Sequence, residues 1–228
     1  MDEFWLGDSD GPMGDVGAFM PSELRVERAD LAAHLRQLGE GRMLIAIAGA
    51  PGAGKSTLAA EIAADLNART PGSAAVVAMD GFHLPNDALD AAGLRARKGA
   101  PETFDAAGLL ALLSTLKTTR EDIGVPLFDR EADAVLPDAG RVPAATQFVL
   151  VEGNYLLLNR PVWRDLFPLF DLTIRLSVPE TVLRTRLAAR WSDLPEAEAC
   201  AKIEANDLPN GRILAREGRA ADLVVVTR

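Results

Sequence analysis

The 228 residues contain only one cysteine, Cys200, and two histidines, His34 and His83. A single thiol closes no disulfide within the chain and builds no cysteine-rich zinc site, so a reducing compartment is the natural setting. Two histidines are too few for a His-rich centre, which excludes a metallochaperone. Long apolar runs are also missing, none approaching the roughly 20 residues that span a bilayer. The N-terminus, MDEFWLGDSDGPMGDVGAFM, lacks the basic region and apolar core of a signal peptide and is broken by Gly and Pro. A loose leader over 1–21 and a cytoplasmic protein are expected. Basic charge is in deficit, 24 Lys and Arg against 33 Asp and Glu for a net −9. Such a surface repels polyanions and argues for no nucleic acid and no membrane as partner.

What is present is apolar content of 48%, enough for one substantial core and a single domain over 22–228. Residues 22–38 read as a helix, with Leu24, Leu31, Leu35 and Leu38 near one face and His34 at its edge in a structural role. The run MLIAIAG, 43–49, reads as a strand covered on both faces of a parallel sheet. Leu58, Ile62 and Leu66 then mark a helix over 56–67, and a second strand follows at 74–79. Strand, helix, strand is a βαβ unit, expected to pair the second strand with the first. Asp105 opens a Leu-rich helix, and 121–146 reads as one long irregular stretch, of a length that is often functional. Further strands are expected at 147–152, 172–178 and 222–226. Five strands interleaved with helices predict an α/β three-layer fold, with helices on both faces of a mostly parallel five-stranded sheet.

The most specific motif is GAPGAGKS, which matches G-x-x-x-x-G-K-[ST] between a predicted strand and a predicted helix. Gly49, Ala50, Pro51, Gly52, Ala53 and Gly54 curl so that backbone N–H groups point inward at phosphate. The helix start adds its positive dipole end, and Lys55 places a charge beside the β and γ phosphates. Ser56 supplies a hydroxyl for Mg²⁺, assisted by Thr57. A switch GTPase would show Asp-x-x-Gly after its third strand and an Asn-Lys-x-Asp guanine reader, and the chain carries neither.

A phosphate cradle leaves open what the phosphate is for. Asp80 stands at the carboxyl end of the second strand, where open parallel sheets gather ligands. Its carboxylate has two roles open to it: accepting the proton of an attacking hydroxyl, or capping a turn with Gly81. Glu152 ends the third long strand, where an unpaired buried carboxylate would be costly, so a partner is implied. On the segment SVPETVLRTRLAARW, Arg184 lies four residues after Glu180, an ordinary surface ion pair. Arg186 and Arg190 share a face with no acid four residues before either.

Behind the glycine-rich loop, MDGFHLPN (79–86), RKGAPETFD (97–105), PLFDR (126–130), VEGNYLLL (151–158) and NDLPNGRIL (206–214) occur in that order. Together they resemble the uridine kinase, phosphoribulokinase and bacterial pantothenate kinase group of P-loop kinases. The likeness covers roughly 22–228 and is greatest to the nucleoside or sugar (fructokinase-like) kinase branch. DGFHLPN sets the chain apart from better-known uridine kinases. The resemblance implies the P-loop NTPase fold with a small helical lid at about 184–205, and a kinase that uses ATP and Mg²⁺.

By position it implies Asp80 as catalytic base, with Lys55, Arg186 and Arg190 on the phosphates and Ser56 and Glu152 around the metal. His83, Arg97, Lys98, Phe104 and Asp105 fall in blocks that face the acceptor, Asp105 also being placed to cap the Leu-rich helix. Phe128, Asp129, Arg130, Glu152, Asn154 and Tyr155 complete the substrate set, and Asn206 and Asn210 border the adenine side. The implied partner is a small molecule with a free hydroxyl, a nucleoside, a pantothenate-like compound or a sugar such as fructose, and a homodimer is compatible. The other reading is a nucleotide-binding regulatory or assembly protein without an acceptor.

Overall fold

The structure, a computed structural model, describes residues 23–227, so the leader expected over 1–21 lies outside the described residues. In chain order the elements are β1 (Leu24–Arg25), α1 (Leu31–Leu35), β2 (Met43–Ala48), α2 (Lys55–Arg69), β3 (Ala74–Ala78), α3 (Asn86–Ala91), α4 (Ala106–Thr118), β4 (Ile123–Asp129) and β5 (Ala134–Val142). They continue with β6 (Phe148–Gly153), β7 (Leu172–Ser177), α5 (Glu180–Arg190), α6 (Glu196–Lys202), a π-helical turn (Ile203–Asp207), α7 (Leu208–Glu217) and β8 (Leu223–Val226).

The apolar runs become strands because both of their faces are covered. Along β2, Ile45 and Ile47 point into one cluster with Leu58, Ile62 and Leu66 of α2, Ile174 of β7 and Leu183 and Leu187 of α5. Leu44, Ala46 and Ala48 point into a second cluster with Leu109, Leu113 and Leu116 of α4, Tyr155 and Trp163. The two clusters lie on opposite faces of one sheet of order β1-β8-β7-β2-β6-β3, every pairing in it parallel. This is the α/β three-layer architecture with a mostly parallel sheet.

Four expectations are corrected. The sheet has six strands, because Leu24–Arg25 pairs with β8 instead of starting a helix. Leu24 is exposed, and the helix is confined to the short stretch whose Leu31 and Leu35 are fully buried. The stretch 121–146 is not irregular: β4 and β5 form an antiparallel hairpin in a sheet of its own. Its period was hidden because Pro126 sits at a register shift and most of β5 faces solvent. Finally, β3 does not pair with the strand that precedes it in the βαβ unit. Strand β6 lies between β2 and β3, with Glu152 in register with Ile47 on one side and Ala78 on the other.

Candidate active site

That strand order sets the site. Neighbouring strands lie about 4.8 Å apart, so the chain leaves β2 and β3 at points two spacings, or about 10 Å, from each other with the end of β6 between them. From β2 it enters the glycine-rich loop, from β3 it turns through Asp80, and Glu152 is held in the middle.

In the loop, Gly52 and Gly54 have φ of +78° and +93°, left-handed values that glycine adopts without strain. Gly54 is the N-cap of α2, so the unpaired amides of the first helical turn face the loop. Ala53 N–H closes onto the Ala50 carbonyl at 3.0 Å, and Pro51 is buried beneath. The Lys55 ammonium donates to that same carbonyl at 3.0 Å. Ser56 donates to Glu152 Oε1 at 2.9 Å, which supplies the partner this buried acid required. Thr57 is exposed beside it.

Burial governs both charges. It pushes the Lys55 ammonium below its ordinary range, opposed by the carboxylates of Glu152 and Asp80. Burial also raises Glu152, with Asp80 reinforcing the rise and the Lys55 charge and Ser56 hydroxyl opposing it. The three groups therefore lie within electrostatic reach of one another; an arriving phosphate would favour the charged form of Lys55 and a cation that of Glu152.

Asp80 lies in the turn Met79–Phe82 that follows β3. Its carboxylate faces outward and accepts from Arg130 Nη2 at 3.1 Å. The hairpin delivers that arginine: β4 runs so close over Gly81 that a Cβ there would collide with the Pro126 backbone. His83 Nδ1 lies 2.8 Å from the Asp80 carbonyl. A carbonyl only accepts, so Nδ1 carries the proton and Nε2 is left as an acceptor. Burial lowers the His83 pKa against the opposing bond to Asp80, which keeps the ring neutral at pH 7. Its ring stacks between Phe104 and Phe128, with centroids at 4.2 and 4.6 Å.

The remaining residues expected on the acceptor side divide. Tyr155 is fully buried and donates to the Gly99 carbonyl at 2.6 Å, so it braces the 97–105 segment from beneath instead of lining a pocket. Arg97 pairs with Glu102 at 2.7 Å on the surface. The Asp105 carboxylate accepts from Gly108 N–H at 2.8 Å as the N-cap of α4. Asp129 accepts from the amides of Glu131 and Ala132 and shapes the hairpin turn. Asn154 lies away from Asp80, in a small cleft with Gly49, Leu157 and Arg175.

On α5, Arg186 donates to the carbonyl of Ala53 at 3.2 Å, directly on the glycine-rich loop. Arg190 packs its guanidinium on the Trp191 ring at 5.1 Å, and burial lowers its pKa beside Arg130, Asp207 and Asp80. Arg184 is engaged by Glu180 and Glu204. Asn206, expected on the adenine side, donates to the Lys98 carbonyl at 2.7 Å, and Asn210 donates to Asn206 at 3.1 Å.

Sequence reasoning did not single out Asn86, Asp133 or Asp207. Asp207 accepts from the Trp191 indole at 2.8 Å. Asn86 and Asp133 flank a cleft of about 340 Å³ between 84–87 and the hairpin, with Lys98 and Phe128 in its wall. Asp133 carries no periodic or motif signal, and it comes to Asn86 only because the hairpin folds back.

No protein-family model matches the chain. Among curated proteins it is 36% identical over 194 residues to "Putative uridine kinase C227.14" of Schizosaccharomyces pombe, covering 81% of this chain and 83% of that one. It is 31% identical over 183 residues to a pantothenate kinase of Rhizobium leguminosarum, covering 77% of this chain but only 55% of that longer protein. Among solved structures it is similar to a "putative fructose transport system kinase" from Silicibacter, with 44% identity, a TM-score of 0.81, and coverage of 87% of this chain and 98% of that one.

Proposed function

The chain belongs to the P-loop kinase family that includes the uridine and pantothenate kinases, and from this premise we propose that it moves the γ-phosphoryl group of ATP to a hydroxyl of a small polar metabolite. The observation that carries this reading is the alignment, at the ends of three neighbouring strands, of the glycine-rich loop with Lys55, of Glu152 bonded to Ser56, and of Asp80 on the outer side. Asp80 faces the hairpin, where Phe128 and the acceptor nitrogen of His83 form the wall against which an alcohol rests.

The Ser56 hydroxyl and the Glu152 carboxylate are hard oxygen donors already 2.9 Å apart. They fit Mg²⁺, which is held by one or two such groups together with substrate phosphates. Bound there, the ion would neutralise phosphate charge. Lys55 and the loop amides bind and orient the β and γ phosphates, and Arg186 lies against the same loop to balance charge during transfer. Asp80 takes the proton as the acceptor O–H bond breaks. A new O–P bond forms as the bond to the β-phosphate oxygen breaks, and ADP leaves. Of the candidate acceptors, a sugar or the ribose of a nucleoside suits a wall that offers one aromatic face and one hydrogen-bond acceptor.

ADP release measured over a panel of nucleosides, sugars and pantothenate-like alcohols tests the reading. One class is expected to stimulate turnover, and Asp80→Asn to lower it by about 10²- to 10⁴-fold with ATP binding retained. Tight ATP binding with no transfer to any acceptor would sink the proposal.

A further inference from the structure

Beside the site, one ammonium has all its donors engaged. Lys98, whose side chain is 14% exposed, donates to Asn86 Oδ1 at 2.7 Å, to Asp133 Oδ1 at 2.7 Å and to the Asp133 carbonyl at 3.1 Å. A lysine has three N–H donors, so none remains for a ligand. Asn86 adds its own bonds to Asp133, at 3.1 Å to the carbonyl and 3.0 Å to Oδ2, and Arg95 stands 3.7 Å from that carboxylate. The residue they converge on closes the hairpin turn with φ of +49°, a left-handed conformation that Asp tolerates better than most residues.

The backbone of Lys98 is anchored as firmly as its side chain. Its carbonyl accepts from Asn206 of the π-helical turn, and the next carbonyl, of Gly99, accepts from the buried Tyr155 hydroxyl. Lys98 thus ties the start of α3, the hairpin turn and the π-helical turn at one point. The hairpin is rooted in the core by Val125 and Val142, crosses Gly81 at Pro126, and is held near its turn where Asp133 meets Lys98. Between the last two it carries Phe128, stacked on His83, and Arg130, paired with Asp80. The ammonium also lies 5.0 Å from the Phe128 ring centre.

We propose that Lys98 is a positioning residue, a latch that closes the β4–β5 hairpin against the body and so sets where Phe128 and Arg130 stand relative to His83 and Asp80. It does not meet the acceptor. Its effect on the acceptor passes through the outer part of the hairpin, where the β5 residues from Ala134 to Arg141 are mostly exposed and add little packing. The link to phosphoryl transfer rests on the kinase reading; the latch itself does not.

Hydrogen–deuterium exchange on the full chain reads the latch without any substrate. Lys98→Met, of similar length and uncharged, is expected to speed exchange across β4 and β5 at least tenfold while β2 and β6 stay protected. Asp133→Asn, which keeps the left-handed preference, is expected to give threefold or more and decides the matter alone if Lys98→Met does not fold. The double variant should exchange no faster than Lys98→Met, because both changes open one latch. With the stimulating acceptor, Lys98→Met should raise acceptor KM tenfold or more and leave ATP affinity within twofold. Unchanged hairpin exchange, or additive exchange in the double variant, overturns the proposal. A higher KM with a protected hairpin would mean direct contact with the acceptor and overturns it equally. Faster hairpin exchange in a protein that phosphorylates nothing would uphold the latch and remove the kinase reading.

Discussion

Gly153→Ala tests whether the packing of β6 against β3 dictates the position of Asp80. Gly153 follows Glu152 on β6, and its φ is not left-handed, so the backbone accepts alanine and only contact opposes it. A Cβ at 153 would lie 2.5 Å from Met79 Cβ, 2.8 Å from its Sδ and 3.1 Å from its Cγ. Carbon atoms rest at about 3.5–4.0 Å, so Met79 must retreat by roughly 1 Å or more. It has little room, being fully buried, and it is bonded to Asp80. Overpacking of this kind costs about 1–3 kcal/mol, or roughly 2–12 °C in Tm for a chain of this size. A displacement of about 1 Å at a reacting group lowers turnover by about 10²-fold. ADP release and thermal unfolding on one preparation provide the assay. Gly72→Ala is the control: its φ of +79° brings strain, with no atom within 4 Å of the added carbon. It should lose about 1–2 kcal/mol and keep full turnover. Wild-type turnover in Gly153→Ala would refute the reasoning, because Asp80 would then be placed by something other than the contact of Gly153 with Met79.

Three further outcomes follow from the geometry. Tyr155→Phe leaves the Gly99 carbonyl without its buried donor and should cost about 1–3 kcal/mol, read as a lower denaturant midpoint. Asp105→Ala removes the cap of α4 and should cost about 1 kcal/mol, most of it retained in Asp105→Ser, by the same measurement. Glu152 has a folded pKa above 4.5 because of burial, so the native state binds the proton more tightly than the unfolded chain. Stability therefore falls as pH climbs from 4.5 through that raised value and levels off above it. Midpoints measured across pH should show this decline in the wild type and a smaller one in Glu152→Gln, and identical slopes would contradict it.

Much of the fold was legible because its causes are local. The runs at 43–48 and 148–151 are apolar on both faces and 172–177 alternates Leu, Ile and Leu with polar residues, so all three read as strands without any knowledge of their neighbours. The glycine-rich loop was legible for the same reason: its left-handed glycines, lysine and hydroxyl occur in one stretch of chain. The hairpin was not, since Val125 and Val142 are its only fully buried apolar positions and Pro126 breaks the alternation. Nor could residue types show that Tyr155 faces the Gly99 carbonyl, or that Asn206 reaches Lys98.

The sequence by itself determined that a glycine-rich turn with a lysine and a hydroxyl follows one buried strand and that acids end two others, because short-range periodicity and backbone conformation are properties of contiguous residues. Only the tertiary structure decided that β6 enters between β2 and β3, so that Glu152 separates Lys55 from Asp80. It alone brought Arg130 to Asp80 and Asp133 to Lys98, 50 and 35 residues apart in the chain. Those meetings depend on which surfaces pack together, and packing is settled by the shape of the whole core.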